Sequence, residues 1–483
     1  MFRISGEGEF VKGALSIDDL RKVGEVVMAG PESSFGEIAE PVVVIDSREV
    51  KGGEIFVALK GEKTDGHCYI KSVFDKGASW AMVSRQWYDA RGSVGPPPGK
   101  GFIVTDDTVA GLQHLAMIYR STFSIPVVGI GGSNGKTTTK EMVASVLERG
   151  FTVQMSRGNR NNHLGVPLTL LQLRRDTGIA VVEMGINHPG EMELLAGIAK
   201  PTHGLLTNIG HEHLEFLFDL DGVAEAELKL FDYLNSHAGI SFVNSDDVRL
   251  RARGEGMPGC ISYGSGIGDD GSCWGQDISV DADGRVCFLL CSGSGSERVR
   301  LNFTGKHNVI NAVAAAAVGK QFGLSLAQIR EGLESLVPAA GWKRLEVVDS
   351  FGIRILNDTY NANSDSMRLA INALCDIGCS GRRVAVLGDM LELGVAADVE
   401  HETIGRYIQH SAVDLLFTCG EKAGLICQEA PRCCYGHFES REKLFDALLE
   451  EVHEGDAVLF KGSRGMKLEL VVEALINARQ TAR

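Results

Sequence analysis

The sequence predicts an α/β protein built from three units, and three observations support this fold class. Its 483 residues exceed what one hydrophobic core normally organises, which favours about three domains. From Val127 onward, short apolar segments alternate with helical stretches, as in a mostly parallel sheet covered by helices. A second alternating series follows Pro338. The predicted limits of the units are 1–122, 123–337 and 338–483.

The first unit is predicted to end between the helical stretch Val109–Tyr119 and the strand Pro126–Ile130. The run Gly95–Gly101 reads Gly-Pro-Pro-Pro-Gly-Lys-Gly. It cannot continue a helix or a central strand, because proline lacks a backbone N–H. We therefore expect a surface loop there, inside the first unit.

The central unit is predicted to hold a parallel sheet with strands at Pro126–Ile130, Ile179–Met184 and Leu205–Thr207. Between Ser262 and Thr304 the composition changes to Gly/Ser-rich turns with short strands. The pair Asp283-Gly284 is typical of a hairpin turn. A small antiparallel module is therefore expected within this unit.

The third unit is predicted to be a second α/β domain. Its apolar segments alternate with helical stretches and lie at residues 345–348, 354–356, 384–387 and 457–460.

Charge and hydropathy exclude several functions. The formal net charge is −15, from 48 basic and 63 acidic residues, so binding to nucleic acid gains no counterion release and is not expected. Charges within Met1–Phe10 argue against a secretory signal. The longest apolar region, Ala312–Val318, is far shorter than the roughly 20 residues of a membrane-spanning helix. We expect a cytoplasmic protein without stable membrane insertion.

The eleven cysteines are scattered along the chain, and an odd count is a poor disulfide framework. Most are expected to be buried thiols. The pairs Cys287/Cys291 and Cys375/Cys379 each lack a second half for the four-ligand sites that zinc prefers, so no zinc is expected.

The segment Gly132–Thr138 (Gly-Ser-Asn-Gly-Lys-Thr-Thr) lies between a predicted strand and a predicted helix. In such a loop, backbone N–H groups face one point at the positive end of the helix, where phosphate binds. Lys136 would neutralise phosphate oxygens and Thr137 would offer a hydroxyl to Mg2+. The predicted ATP-binding residues of the loop are Gly132, Ser133, Asn134, Gly135, Lys136, Thr137 and Thr138.

The longer P-loop pattern requires glycine at position 130, which is Ile130 here. The match is therefore to the shorter Gly-x-x-Gly-Lys-Thr core. A glycine-rich turn with an incidental lysine is the alternative.

Polar residues follow two other predicted strands. Glu183 ends the apolar segment that begins at Ile179, and the segment Thr207–Glu215 contains His-Glu-His. Mg2+ prefers oxygen ligands around phosphates, and α/β sheets present functional side chains where strands end. A magnesium site beside the loop is therefore predicted, although such residues can merely cap helices.

An ordered series of motifs resembles the Mur ligases of peptidoglycan synthesis. The series comprises Asp46–Arg48, Gly53–Leu59, Asp65–His67, the short P-loop, Gly158–Leu170, Glu183–Gly185, Asn208–Glu215, Gly305–Asn311, Asp358–Asn363, Gly388–Met390, Glu392–Gly394 and Lys461–Arg464. The resemblance implies the three-domain architecture of this family. An N-terminal domain would hold a UDP-sugar, and a P-loop ATPase domain with a mostly parallel sheet would follow. A Rossmann-like C-terminal α/β domain would close on ATP and a dipeptide.

The resemblance also implies a reaction. ATP would phosphorylate the terminal carboxylate of UDP-N-acetylmuramoyl tripeptide, and the amine of D-alanyl-D-alanine would attack the acyl phosphate. The products would be ADP, phosphate and a UDP-muramoyl pentapeptide. The cofactors implied are ATP and Mg2+, and a monomer is expected.

Two relatives and one other class compete with this assignment. Tyr360–Asn363 favours the dipeptide-adding member over sister ligases, and Asp46–Arg48 argues against a folylpolyglutamate synthetase, which lacks a UDP-binding domain. A P-loop ATPase that only switches a partner's conformation is the alternative from a different class.

The resemblance assigns catalytic roles to Lys136, Glu183, His213 and Glu227, and it assigns the metal to Thr137, Glu183, His213 and Glu227. Family members commonly have a carbamylated lysine where this chain has Glu227, so we hypothesise that Glu227 supplies the carboxylate directly. The alternatives are a solvated helix face with Glu225, Glu227 and Lys229, or a carbamylation site displaced to Lys229.

Other roles are carried over from the same motifs. The ATP-contacting residues implied outside the loop are His307, Asn308, Asn311, Arg344 and Asp358. The substrate-binding residues implied are Ser47, Arg48, Asp65, Gly66, His67, Asn161, Asn162, Tyr360, Asn361 and Asn363. Asn308 and Asn311 are equally suited to capping a helix. The first-domain group, Ser47 to His67, is equally compatible with an ordinary charged turn. Ser364 stands where family members often have proline.

Overall fold

Three large β-sheets follow one another along the chain in the computed structural model, which describes residues 13–266, 272–293 and 295–481. The first sheet has five strands, the second nine and the third six. Each predicted unit thus contains one large sheet, while the exact limits of the units stay a prediction. The segment Met1–Phe10, whose charges argue against a secretory signal, lies outside the described residues.

The first unit contains a mixed sheet and a short two-stranded one. Its strands are β1 (Ala14–Leu15), β2 (Glu25–Met28), β3 (Ile38–Ala39), β4 (Val43–Val44), β5 (Ile55–Val57), β6 (Trp80–Ser84) and β7 (Gly101–Thr105). Its helices are α1 (Ile17–Val23), α2 (Ile70–Asp75), α3 (Arg85–Ala90) and α4 (Thr108–Ser121). The large sheet has the order β2-β7-β6-β5-β4, with β2 antiparallel to β7 and the other pairs parallel. The proline-rich run before β7 is a loop, as predicted.

The central unit contains the nine-stranded sheet. Its strands are β8 (Val127–Gly131), β9 (Val153–Met155), β10 (Ile179–Glu183), β11 (His203–Leu206), β12 (Ile240–Asn244), β13 (Cys260–Ser265), β14 (Cys273–Val280), β15 (Val286–Ser292) and β16 (Gly295–Arg300). Its helices are α5 (Lys136–Leu147), α6 (Gly165–Leu170), α7 (Glu191–Ala199), α8 (Leu214–Leu217), α9 (Leu220–Ser236), α10 (Val248–Gly254), α11 (Asn308–Gln321) and α12 (Leu326–Ser335).

The central sheet has the order β16-β15-β14-β13-β12-β11-β8-β10-β9, and all pairs from β14 to β9 are parallel. The predicted hairpin at Asp283-Gly284 joins β14 to β15, and Gly284 has a φ of +81°. The antiparallel strands continue the edge of the large sheet instead of forming a separate module. The sheet is continuous because β14 pairs with β13 on one side and with β15 on the other.

The register of the central strands brings their carboxyl ends together. Glu183 at the end of β10 is opposite Ile130 of β8, and Leu206 at the end of β11 is opposite Gly131. Because all three strands are parallel, the residues that follow them meet at one edge of the sheet.

The third unit contains the six-stranded sheet. Its strands are β17 (Glu346–Ser350), β18 (Ile353–Asp358), β19 (Arg383–Gly388), β20 (Leu415–Cys419), β21 (Cys434–Phe438) and β22 (Ala457–Lys461). Its helices are α13 (Ser364–Asp376), α14 (Ala397–Gln409), α15 (Gly424–Glu429), α16 (Arg441–Glu451) and α17 (Glu469–Thr481). The order is β17-β18-β22-β19-β20-β21, with only β17 antiparallel to its neighbour.

Helix α4 fastens the first unit to the central one. The buried hydroxyl of Tyr119 donates to the carbonyl of Leu173 (2.8 Å), and the buried guanidinium of Arg120 donates to the carbonyls of Phe123 (2.7 Å) and Ala199 (3.2 Å). These bonds satisfy polar groups that would otherwise be buried at a cost.

The cysteines depart in part from expectation. Nine are thiols, but only Cys273, Cys291, Cys419 and Cys433 among them are buried, so the prediction that most are buried thiols is wrong. Cys427 and Cys434 form a disulfide between α15 and β21, where their Cα atoms lie 5.3 Å apart. The tertiary fold places these two cysteines next to each other, and the number of cysteines in a sequence does not predict which of them are neighbours. In the described part of the chain, no helix is both long and apolar enough to cross a membrane.

We expect Asp456→Asn to destabilise the third unit. Asp456 precedes β22 and accepts hydrogen bonds from the backbone N–H groups of Arg382 (2.7 Å) and His453 (3.0 Å), and from Nη2 of Arg382 (3.0 Å). Burial opposes the charge, but these bonds lower the pKa of Asp456 below 3.8. Asparagine would cost about 2 kcal/mol of unfolding free energy at pH 7.

Because the folded pKa is lowered, the contribution of Asp456 is present above pH 3.8 and is lost as pH falls through the folded pKa. The difference between wild type and variant in urea unfolding should therefore shrink below that pH. Asp446→Asn on the exposed face of α16 is the control and should change little. An equal effect of both variants would contradict the assignment.

Candidate active site

The glycine-rich loop leaves β8 in a conformation that only glycine adopts easily. Gly132 has a φ of +104°, and a Cβ atom there would lie 2.4 Å from Oγ1 of Thr207 and 2.6 Å from its backbone nitrogen. Position 132 therefore has no room for a side chain. The N–H of Gly132 donates to Oε2 of Glu227 (2.8 Å).

The rest of the loop is tied to the segment that follows β11. The N–H of Ser133 donates to the carbonyl of Asn208 (2.8 Å), and the N–H of Asn134 donates to Oδ1 of Asn208 (3.0 Å). The amide of Asn208 donates in return to the carbonyl of Asn134 (2.9 Å). The loop is thus held rigidly before helix α5 begins at Lys136, after Gly135 with a φ of +84°.

Lys136 lies among carboxylates at the start of α5. Its Nζ is 3.3 Å from Oε2 of Glu212, and it also donates to the carbonyls of Gly132 and Ser133. Burial opposes the charge, but Glu212, Glu227 and Glu183 together raise the pKa of Lys136. The ammonium group therefore stays charged at neutral pH.

Glu183 reaches the start of α5 from the neighbouring strand. Its Oε1 accepts hydrogen bonds from the hydroxyl of Thr137 (3.1 Å) and the amide of Asn161 (2.9 Å). Its Oε2 lies 3.7 Å from Nζ of the buried Lys140 and accepts no hydrogen bond from the described residues. Two predicted metal ligands, Thr137 and Glu183, are thus in direct contact.

Glu227 is fully buried in α9, directly behind the loop. The proposal of a solvated helix face is therefore wrong for this residue, although Glu225 is exposed and Lys229 is half-buried beside Asp232 (3.9 Å). Burial raises the pKa of Glu227 to about 7, while Lys136 acts in the opposite direction. Its Oε1 has no hydrogen-bond partner among the described residues.

His213 comes from the loop after β11 and has a φ of +50°. Its Nδ1 lies 2.6 Å from Oε2 of Glu392 in the third unit, and its Nε2 lies 3.9 Å from Oε2 of Glu212. The described residues contain no group of three or more His, Cys, Asp or Glu side chains already arranged to hold a metal. The metal-ligand set of Thr137, Glu183, His213 and Glu227 stays a prediction.

A cavity of about 670 Å³ lies between the central and third units, in front of the loop. Most predicted ATP and substrate residues line it, namely Ser133, Asn134, Gly135, Lys136, Thr137, Thr138, Asn161, Asn162, Glu183, His213, His307, Asn308, Asn311, Arg344, Asp358, Tyr360, Asn361 and Asn363. Gly132, the first residue of the loop, and Glu227, which is buried behind it, do not line the cavity. Five first-unit residues also do not line it, namely Ser47, Arg48, Asp65, Gly66 and His67.

The third unit contributes a charged wall to this cavity. Asp358 at the end of β18 accepts from Nζ of Lys461 (2.6 Å) and from the N–H of Leu345 (3.1 Å). The guanidinium carbon of Arg344 lies 3.8 Å from the centre of the Tyr360 ring. Arg344 thus points into the cavity beside the predicted dipeptide turn.

The start of α11 forms another part of the cavity wall. The amide of Asn308 donates to the carbonyl of Thr304 (2.7 Å), and the amide of Asn311 donates to Oδ1 of Asn308 (3.0 Å). Burial lowers the pKa of His307 to about 4, so its imidazole is neutral at pH 7. His307 itself is the N-cap and makes no capping bond.

The predicted substrate-binding residues of the first unit form local contacts outside the cavity lining. Arg48 pairs with Asp46 (2.6 Å) on the surface. His67 is buried, with Nδ1 2.6 Å from Oδ1 of Asp65 and Nε2 accepting from the N–H of Ser84 (2.9 Å). Both ring nitrogens of His67 are therefore occupied, and its contact with substrate stays a prediction.

Several residues at the site were not predicted individually. Glu212 pairs with Lys136, and Asp365 of α13 lies 3.1 Å from Nδ1 of His211 and also accepts from the His211 N–H (2.8 Å). This bond raises the pKa of His211. The His-Glu-His stretch signalled Glu212 and His211, whereas no local pattern connects His211 to Asp365, 154 positions away.

Gly132→Ala tests the geometry of the loop. The added Cβ would contact Thr207 and require a left-handed backbone at an L-residue. We expect roughly 10-fold or greater weakening of ATP binding, measured by isothermal titration. Gly197→Ala on α7, where a Cβ meets nothing within 4 Å, is the control and should bind ATP normally. Unchanged ATP affinity in both variants would show that the loop tolerates a side chain.

Family models match this chain in three places. The Mur ligase middle domain matches residues 130–319, and the Mur ligase glutamate ligase domain matches residues 343–464. The catalytic domain of the Mur ligase family matches residues 42–92. All three cover elements described above.

Individual relatives match nearly the whole chain. The UDP-N-acetylmuramoyl-tripeptide–D-alanyl-D-alanine ligase of Bacillus subtilis is 35% identical over 444 residues, which is 90% of this chain and 93% of the relative. The crystal structure of MurF from Acinetobacter baumannii has a TM-score of 0.83 at 30% identity and covers 96% of this chain and 99% of its own. MurF from Thermotoga maritima, solved in complex with ADP, has a TM-score of 0.80 at 28% identity, covering 92% and 99%. The sequence similarity extends over nearly the whole chain, and the fold and the loop geometry agree with it. The chain therefore belongs to the Mur ligase family.

Proposed function

We propose that this chain is an ATP-dependent ligase that joins D-alanyl-D-alanine to UDP-N-acetylmuramoyl tripeptide. The observation that carries the proposal is the cavity in which the phosphate loop of the central unit faces the Tyr360–Asn363 turn of the third unit. Relatives that share nearly the whole chain are named for this reaction. ATP and a second reactant can meet there.

The proposed chemistry has two steps. The carboxylate of the tripeptide attacks the γ-phosphorus of ATP, the bond to the β-γ bridging oxygen breaks, and ADP leaves. The amine of the dipeptide then attacks the carbonyl carbon of the acyl phosphate, phosphate leaves, and the nitrogen loses a proton. Phosphorylation is needed because a carboxylate repels nucleophiles and has no usable leaving group. The protein mainly positions the reactants and neutralises charge.

The central unit supplies the residues for the phosphates. The N–H groups of Gly132, Ser133 and Asn134 already have acceptors within the protein, so the N-terminus of α5 is the part that faces the cavity. Lys136 stays charged beside it. Lys136 is therefore assigned to the transferring phosphoryl group. The nucleotide is assigned to His307, Asn308 and Asn311 of the central unit, together with Arg344 and Asp358 of the third unit.

The donor chemistry at the loop suits Mg2+, which prefers a hydroxyl or one or two carboxylates plus phosphate oxygens. Glu183 Oε2 and Glu212 Oε1 are buried carboxylate oxygens without hydrogen-bond partners among the described residues. Thr137, Glu183, His213 and Glu227 would hold the ion. When bound, Mg2+ would neutralise charge that develops on the phosphates.

The third unit is held against the central loop in this conformation. The amide of Asn363 donates to Oδ1 of Asn134 (3.1 Å), and His211 and His213 contact Asp365 and Glu392. Tyr360, Asn361 and Asn363 are assigned to the dipeptide on this wall. Closure would exclude water from an acyl phosphate that water would otherwise hydrolyse.

The UDP-sugar is assigned to the first unit, through Ser47, Arg48 and the Asp65–His67 turn, with Asn161 and Asn162 nearer the cavity. We further propose that the reaction takes place in the cytoplasm and that the chain acts as a monomer. Both statements rest on the sequence and its resemblance.

The direct test is mass spectrometry after incubation with ATP, Mg2+, UDP-N-acetylmuramoyl tripeptide and D-alanyl-D-alanine. The tripeptide should gain the mass of the dipeptide minus water, and phosphate release should require both cosubstrates. Lys136→Ala is the negative control and should form no pentapeptide, because the transferring phosphoryl group loses its cation. Phosphate release that ignores the dipeptide would favour the switch-type ATPase instead.

The role of Glu227 is tested by Glu227→Gln. Glutamine can still accept the hydrogen bond from Gly132 but carries no charge. If Glu227 helps to hold Mg2+, the Mg2+ concentration for half-maximal phosphate release should rise about 10-fold or more. Glu225→Gln, two positions away on the exposed face of α9, should leave the Mg2+ dependence unchanged. Full activity with an unaltered Mg2+ response in Glu227→Gln would refute the assignment.

A further inference from the structure

Four lysine and arginine side chains line the cavity: Lys136, Arg344, Lys461 and Arg464. The two lysines have carboxylate partners, which are Glu212 at 3.3 Å and Asp358 at 2.6 Å. Within residues 13–266, 272–293 and 295–481, the guanidinium groups of the two arginines form no ion pair. The third unit therefore contributes two guanidinium groups to the cavity wall that are available to bind an anionic ligand.

Both arginines lie over the same aromatic ring, that of Tyr360. The guanidinium carbon of Arg344 is 3.8 Å from the centre of the Tyr360 ring, and that of Arg464 is 5.8 Å from the same centre. A tyrosine ring attracts cations to its negative face, so the ring restrains both side chains, while their guanidinium N–H groups make no hydrogen bond to the part of the chain that the structure describes.

The loop that carries Arg464 is fixed to the Tyr360 turn. Nζ of Lys461 donates to the carbonyl of Asn361 (3.0 Å), and the hydroxyl of Ser463 donates to the carbonyl of Ala362 (3.3 Å). The N–H of Leu391 in turn donates to the Ser463 hydroxyl (2.8 Å). Arg464 therefore starts from a backbone whose position relative to the turn is set before any ligand binds.

Two anionic reactants have to share these cations. The triphosphate already has Lys136 and the start of α5, and Arg344 is assigned to it. The dipeptide enters as a zwitterion, and its ammonium group must lose a proton before the amine can attack the acyl carbon. Its carboxylate is then the group whose charge can fix the dipeptide without hindering the nucleophile.

We propose that Arg464 binds the free carboxylate of the dipeptide through its planar guanidinium and orients the amine toward the acyl phosphate. This inference rests on the proposed ligase function and assigns one residue within it. A guanidinium suits the task because its parallel N–H groups match the two oxygens of a carboxylate. A neutral terminus would lose this contact.

The test pairs a change in the enzyme with a change in the ligand. Initial rates of pentapeptide formation are measured with D-alanyl-D-alanine and with its C-terminal amide, for wild type, Arg464→Gln and Arg464→Lys. Arg406→Gln is the control, because Arg406 is an exposed arginine of α14 whose partners are Glu402, Glu429 and the Thr403 hydroxyl, none of which lines the cavity. The KM for ATP is measured in parallel for every variant.

Wild type should use the amide about 10- to 100-fold less efficiently than the dipeptide in kcat/KM. Arg464→Gln should lose a similar factor for the dipeptide and little for the amide, with an unchanged KM for ATP. Arg464→Lys should keep part of the preference for the carboxylate, and Arg406→Gln all of it.

Two results would overturn the inference alone: a wild type that forms pentapeptide but uses the amide as well as the dipeptide, or an Arg464→Gln variant that loses the same factor for both. A wild type that forms no pentapeptide would instead overturn the proposed function, and the assignment of Arg464 with it.

Discussion

The site depends on how the protein buries three glutamate side chains beside a phosphate-binding loop. Glu183, Glu212 and Glu227 are all buried, and the ammonium groups nearest to them belong to Lys136 and Lys140. Burying a charge without a partner costs several kcal/mol, so each side chain has to stand where another offsets it. The close approach of β8, β10 and β11 at one sheet edge makes that possible. The remaining loops are arranged around this edge.

The second requirement is contact between units. The central loop meets the third unit through polar side chains. His211 and His213 lie on one short segment and contact Asp365 and Glu392 on two different segments of the third unit. A displacement of that segment would therefore change its contacts with both segments of the third unit. The shape of the loop is in this way linked to the position of the third unit.

Much of this arrangement could be predicted from the sequence, because local signals carry it. Apolar runs correctly predicted β8, β10, β11, β19 and β22, and the glycines with Lys136 predicted the phosphate loop. The position of Glu227 had a signal too, since the buried residues Val223, Leu230 and Leu234 place it on the apolar face of α9. The contact of His211 with Asp365 had none, because its geometry arises only when separate units pack. The continuation of the central sheet into β15 and β16 was equally invisible, since strand order across a sheet is not a local property.

The contact between His211 and Asp365 also bears on how this chain can change over generations. The two positions are separated by 154 residues and belong to different units, yet each satisfies the polar group of the other. Replacing Asp365 removes the acceptor of both the imidazole and the backbone N–H of His211, whereas replacing His211 keeps the bond from its backbone N–H. We therefore expect position 211 to tolerate substitution better than position 365.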